Sequence, residues 1–269
     1  LQAIANHGVI FYNVDGIEIT SQEVECVFTP ATISKKFKQL SIKKNEFTVS
    51  DSLLKERNFY VIKSVEEPAG ILSTMSYYFI ESEANKVIGF TFSSVNKRDQ
   101  EFERTFIRLV LDKAIPQYVF NSAETDTINF AGRKIPLGNS CHWMGINNVQ
   151  CPYFGQMNWS VHKDLDDAAS SVSNQFELIK SRKNGRIVAD TLVKVIFEGT
   201  ATTARRVIYD FTGTTSVLVG MTDGKTLTIY FVSAAVRQNY VSCIMSFWNN
   251  DQINPGGLSP LLEQVMKFE

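Results

Sequence analysis

The spacing of hydrophobic and polar positions changes several times along the chain, and each change predicts an element. From residue 9 to 28, Ile17 and Ile19, and then Val24, Cys26 and Phe28, recur at every second position, the spacing of half-buried strands. Asp15-Gly16 lies between Phe11-Tyr12 and Ile17 and reads as a hairpin turn. Residues 59–62, 71–80 and 87–92 are aromatic and β-branched, separated by the turn Glu67-Pro68-Ala69-Gly70 and by polar residues 81–86, so three strands are expected. The period then lengthens: Phe102, Phe106, Leu109 and Val110 fall at three- and four-residue steps, with Glu101, Arg104, Arg108 and Asp112 on the other side. This predicts a helix that Pro116 ends, because proline cannot continue the hydrogen-bond ladder.

Polar residues 117–130 mark a boundary between an N-terminal half, 1–120, and a C-terminal half, 121–269. Beyond it Ile128-Asn129-Phe130-Ala131-Gly132-Arg133-Lys134-Ile135 parallels Tyr12-Asn13-Val14-Asp15-Gly16-Ile17-Glu18-Ile19. Val161, Leu165, Ala168, Val172, Phe176 and Ile179 form one helical stripe, with Asp164, Asp166 and Asp167 where a helix N-terminus favours acids. Strands are expected over 187–197 and 205–211, and over 216–220 paired with 226–231 across Thr222-Asp223-Gly224-Lys225. Tyr240, Val241, Ile244, Phe247 and Trp248 predict a further helix, with Cys243 a small buried hydrophobe on it. Ser259 and Pro260 open a last helix with Leu261, Leu262, Val265 and Met266 inside. Lys86-Val87-Ile88-Gly89-Phe90-Thr91-Phe92 aligns without a gap on Lys225-Thr226-Leu227-Thr228-Ile229-Tyr230-Phe231. The expected class is α+β, with antiparallel sheets packed with helices in two similar halves, tandem α/β sandwiches.

A half that ends in a strand and a long amphipathic helix, as residues 87–114 and 226–248 are read here, resembles the Mog1/PsbP-like α/β sandwich. The resemblance implies a binding or assembly module and carries no functional residue with it.

Composition narrows the function classes. The 27 Lys+Arg balance 28 Asp+Glu, for a formal net charge of −1, so the basic footprint of a nucleic-acid binder is missing. The run at residues 34–44, with Lys35, Lys36, Lys38, Lys43 and Lys44, reads as a solvated face. No apolar run approaches the roughly 20 residues a membrane helix needs. The sequence starts at Leu1, and residues 1–7 lack the charged and apolar regions of a signal peptide. The expectation is a chain either trimmed or already freed of a leader, the second fitting a periplasmic or secreted protein and the first a cytoplasmic one as well.

Candidate chemistry concentrates in one segment. The four cysteines are Cys26, Cys141, Cys151 and Cys243, and the three histidines His7, His142 and His162. Nine residues separate Cys141 from Cys151, a loop a disulfide can close. The same segment offers Cys141 or Cys151 with His162 as a nucleophile–base pair, or Cys141, His142, Cys151 and His162 as metal ligands. Adjacent Cys141-His142 is poor spacing for one ion, and no metal or cofactor is expected. Phosphate-binding glycine motifs and Gly-x-Ser-x-Gly are absent, and Glu66-Glu67 and Asp166-Asp167 are adjacent acids that cannot flank a scissile bond. Trp143, Tyr153, Phe154, Trp159 and His162 stand among glycines and asparagines, either packed under the sheet or lining a ligand surface. Asn158-Trp159-Ser160 matches a glycosylation sequon. The reading favoured is a non-catalytic binding or assembly module for an unknown protein or small-molecule ligand. The alternatives are a Cys/His hydrolase and a metal-binding protein, both using residues 141–162.

Overall fold

The computed structural model describes residues 1–67, 70–122, 126–138, 141–212 and 224–269. It divides into two compact units, Leu1–Ala123 and Glu124–Glu269. Each is built on one large sheet, and the class is α+β. The expected strand over 216–220 and the first half of its turn, Thr222-Asp223, lie outside the described residues.

The first unit starts with a meander, β1 (Gln2–Asn6), β2 (Val9–Val14) and β3 (Ile17–Glu25), whose second turn is Asp15-Gly16. Helix α1 (Pro30–Lys36), two short 3-10 turns and an irregular segment follow. A second meander comprises β4 (Asn58–Glu67), β5 (Ile71–Glu83) and β6 (Lys86–Val95), then α2 (Gln100–Leu111) and β7 (Phe120–Ser122). The strand order is β4-β5-β6-β3-β2-β1-β7. All pairs are antiparallel except β1–β7.

Alternation along the strands gives this sheet two apolar faces. On one, Phe106 and Ile107 of α2 pack on Tyr12, Ile19, Tyr78, Phe90 and Phe92. Asp99 caps α2 by accepting from the Phe102 N–H. The helix ends at Leu111, ahead of Pro116, because Lys113 turns left-handed and the Ala114 and Lys113 N–H groups bond the Leu109 and Val110 carbonyls. On the other face Phe28, Ile33, Phe37, Ile42 and Phe47 cover Val61, Tyr77, Phe79 and Val87. The lysine-rich segment thus turns its apolar residues inward and keeps all five lysines exposed. Gly89 is required here: a Cβ would stand 2.4 Å from the Phe37 ring.

The second unit opens with the hairpin β8 (Thr127–Phe130) and β9 (Arg133–Pro136). A meander follows, β10 (His142–Gly145), β11 (Asn148–Cys151) and β12 (Gly155–His162), then α3 (Leu165–Lys180). Four long strands, β13 (Gly185–Phe197), β14 (Thr200–Phe211), β15 (Thr226–Val236) and β16 (Asn239–Trp248), precede the short α4 (Pro260–Glu263) and β17 (Met266–Phe268). The sheet order is β10-β11-β12-β16-β15-β14-β13-β17, antiparallel throughout. On one face, which we call the core face, the β8–β9 hairpin and residues 258–266 pack over β11, β12, β15 and β16. On the other, the helix face, Val172, Phe176 and Ile179 of α3 lie on Val207, Ile229, Phe231 and Ile244. Asp164 caps α3, as its position among acids predicts.

Four expectations fail in this unit. The segment around Tyr240, Val241, Ile244, Phe247 and Trp248 is strand β16, flanked by β12 and β15 and buried on both sides. A central strand covered on both faces is apolar nearly throughout, so helical spacing can be picked out of it by chance. Val161 lies in β12, which runs to His162, and does not belong to the helix stripe. The last helix stops at Glu263, Met266 belongs to β17, and the buried Ser259 Oγ makes no hydrogen bond. The cysteine segment is a three-stranded meander and not a loop. The internal alignment is also displaced. Strand β6 pairs with the last strand of the first meander, and in the second unit that place is taken by β16, whereas residues 225–231 fall on β15.

Buried carboxylates pin loops in both units. Glu103 accepts from Tyr78 Oη at 2.9 Å and Arg98 Nη2 at 2.6 Å. Asp51 anchors the irregular segment to α2, accepting from Arg104 Nε (2.7 Å), Gln100 Nε2 (3.1 Å) and the Leu53 N–H (3.0 Å). In the second unit Glu198 receives both Arg133 and Arg237, whose guanidinium also bonds the Phe130 and Ala131 carbonyls.

Burial alone would raise the Asp51 carboxyl, but the bonds from Arg104, Leu53 and Gln100 outweigh it and hold the group below the usual carboxylate range. A folded value below the unfolded one stabilises the fold above about pH 4, and that contribution is lost as pH falls through the folded value. Asp51→Ala is therefore expected to destabilise the protein by about 3 kcal/mol at pH 7, since Arg104 loses its buried partner. Urea melts at pH 7 and pH 3 check this, with the difference between variant and parent shrinking at the acid end.

Candidate functional site

The segment from Cys141 to His162 carries every residue singled out for chemistry, and its register decides which of them meet. Side chains alternate across the meander. Trp143 pairs with Val149, Val149 with Met157, and Trp159 with Cys243, so these project to the core face. Trp159 is fully buried there, 5.3 Å between ring centroids from Phe130 and 6.4 Å from Trp143. Phe154 also packs on this core. His142 pairs with Gln150, Gln150 with Gln156, and Asn148 with Asn158, so these project to the helix face.

The five candidate ligand residues therefore separate. Trp143, Phe154 and Trp159 are part of the core side, His162 lies on the opposite side, and Tyr153 stands in the β11–β12 turn. Tyr153 is 66% exposed and in the left-handed region at φ 67°. The sequon asparagine Asn158 lies mid-strand, between Asn148 and Ile244.

Cys141 and Cys151 form a disulfide. The bond continues the register by one step, since His142 already faces Gln150. It closes the β10–β11 hairpin and leaves neither sulfur as a thiolate for attack or for metal binding. Among the described residues no group of three or more His, Cys, Asp or Glu side chains is placed to hold a metal ion. Cys26 and Cys243 are free and buried. Complete burial pushes the Cys243 thiol well above its ordinary value.

His162 has a partner that the sequence did not suggest. Its Nε2 lies 2.8 Å from Ser242 Oγ, on the neighbouring strand β16. The distance suits a nucleophile and its base. The setting does not, because β16 is paired along both edges and its backbone N–H groups serve the ladders, leaving no donors for an oxyanion. Both residues are also below a tenth exposed, so a substrate carbonyl cannot reach them. The pair satisfies two buried polar groups. Its sequence signal was the alternation of Ser242, Ile244 and Ser246 with Val241, Cys243, Met245 and Phe247, which is a strand pattern.

Comparisons with known proteins give no family. No family model matches the chain, and no curated protein matches it. Among solved structures, the di-domain ARO/CYC BexL of the BE-7585A biosynthetic pathway is 11% identical, over 87% of this chain and 85% of that one, with a TM-score of 0.17. DynU16, a protein of the dynemicin biosynthetic locus, is 10% identical over 77% of this chain and 72% of that one, with a TM-score of 0.18. The di-domain ARO/CYC StfQ of the steffimycin pathway is 11% identical over 93% and 75%, with a TM-score of 0.18. At such scores the likeness establishes no common fold.

Two outcomes follow from this geometry. Ser242→Ala is expected to lower stability by about 1 kcal/mol, the loss of one buried hydrogen bond, and a fluorophosphonate probe should leave the parent protein unlabelled at Ser242. Iodoacetamide should modify two cysteines in the denatured, unreduced protein and four after reduction, read by intact mass.

Proposed function

We propose that this chain is a non-catalytic binding or assembly module that works in an oxidising compartment, periplasmic or extracellular. The observation that carries this reading is the Cys141–Cys151 disulfide. Disulfides persist mainly outside the reducing cytosol. This one also occupies both sulfurs that a Cys/His hydrolase or a metal site in residues 141–162 would need. His162 is hydrogen-bonded to the Ser242 hydroxyl on a closed part of the sheet. Among the described residues no helix is long and apolar enough to cross a membrane.

The similar winding of the two units supports descent from a tandem duplication. In each, a three-stranded meander leads through a helix into a second meander, whose last strand returns antiparallel to the third strand, β6 to β3 and β16 to β12. That arrangement supplies two large sheets.

The test is redox-dependent. Closing a ten-residue loop contributes about 2–3 kcal/mol in the chain-entropy view, so reduction should lower the urea midpoint while leaving esterase and peptidase assays silent. A thiol-dependent turnover that appears on reduction and disappears in Cys151→Ala would overturn the module reading.

A further inference from the structure

We infer that the helix-face side of β10, β11 and β12, bearing Asn148, Gln150, Gln156 and Asn158, binds a neutral, hydroxyl-rich ligand of the oligosaccharide class. The inference rests on the binding-module reading and names the chemistry of what is bound.

The register sets these amides in two rows across adjacent strands. One row runs His142, Gln150, Gln156, Ser246 and the other Asn148, Asn158, Ile244. No strand position of β10, β11, β12 or β16 on this face carries an acid, lysine or arginine. Solvation alone does not account for that choice. The same face of the same sheet, on β13 and β14, carries the ion pair of Asp190 and Arg205, with Nη2 2.6 Å from Oδ2.

Neutral amides differ from ions in what they offer. Asn and Gln each present donors and an acceptor, whereas Lys and Arg only donate and ionised Asp and Glu only accept. Sugar hydroxyls likewise donate and accept, so a row of amides matches them without fixing which group does which. Covering neutral amides also costs far less desolvation than covering ions. Among the described residues, the side-chain amides of Asn148, Gln150 and Asn158 make no hydrogen bond, although all three are half-buried. Gln156 is oriented by donating to Ser246 Oγ at 2.7 Å. Tyr153, in the turn that joins Gln150's strand to that of Gln156, is an exposed aromatic side chain next to these strands, of the type that packs on the C–H face of a sugar.

The experiment is a titration of the disulfide-intact, 15N-labelled protein with cellohexaose, maltohexaose and chitohexaose, with polygalacturonate as the charged comparison. At least one neutral hexasaccharide should shift amide signals of residues 142–162 and 240–246. Its affinity should fall at least tenfold in Asn148→Ala/Asn158→Ala, with the melting temperature unchanged. Silence with all three sugars, shifts confined to other regions, an unaffected double variant, or binding of polygalacturonate alone would each overturn the inference. Mapping the parent protein keeps the test valid if the variant misfolds. A silent titration leaves the module reading standing, which falls only by the thiol-dependent turnover described above.

Discussion

Each sheet depends on one long-range strand pair. In the first unit β3 meets β6, with Glu18 facing Ser93 and Glu25 facing Lys86. In the second β12 meets β16, with Gln156 facing Ser246 and His162 facing Tyr240. Most other neighbours in the sheets are consecutive strands joined by turns, which close at little entropic cost. These two pairings join residues some 60–90 apart, and without them each unit would be two separate meanders with exposed edges. The elements between the meanders then serve the closure. In the first unit α1 and the segment after it fill one face of the sheet. In the second α3 covers β14, β15 and β16.

The buried ion pairs fit that constraint better as locks than as sources of stability. Removing ions from water costs several kcal/mol per charge, so a buried pair adds little over an apolar replacement. What it does is penalise every arrangement that leaves one partner alone. Asp51 can be satisfied only where Arg104 and Gln100 of α2 reach it, which fixes a segment with little regular structure of its own. Glu198, in the turn between β13 and β14, gathers Arg133 of β9 and Arg237 of the β15–β16 turn, and so fixes the β8–β9 hairpin on the core face.

Local signals are legible in the sequence and long-range ones are not. The strands at 59–62, 71–80 and 87–92, the helix begun by Asp99 and the acids heading α3 are each specified by neighbours in the chain, and the α+β class follows from them. Strand β16 reads as a helix because α3 covers one of its faces and the β8–β9 hairpin with residues 258–266 the other, so that Ile244 stands in the serine row and weakens the period of two. The meander at 142–162 looked like a loop because its glycines and asparagines mask short strands, among them β10 and β11 of four residues each. Ser242, the partner of His162, could not be proposed before the β12–β16 register was known.

The disulfide links the two faces of this segment. By joining Cys141 to Cys151 it ties up both cysteines of this segment, so neither sulfur is a thiolate. The same bond holds the edge strand β10 on β11, while Trp143 and Trp159 anchor the meander from the core side. Amides that would otherwise sit on a fraying edge are thereby held in register on the opposite side. A surface ordered before contact loses less conformational entropy when it binds. The bonded sulfurs and the ordered polar surface thus have one cause, the closure of the β10–β11 hairpin.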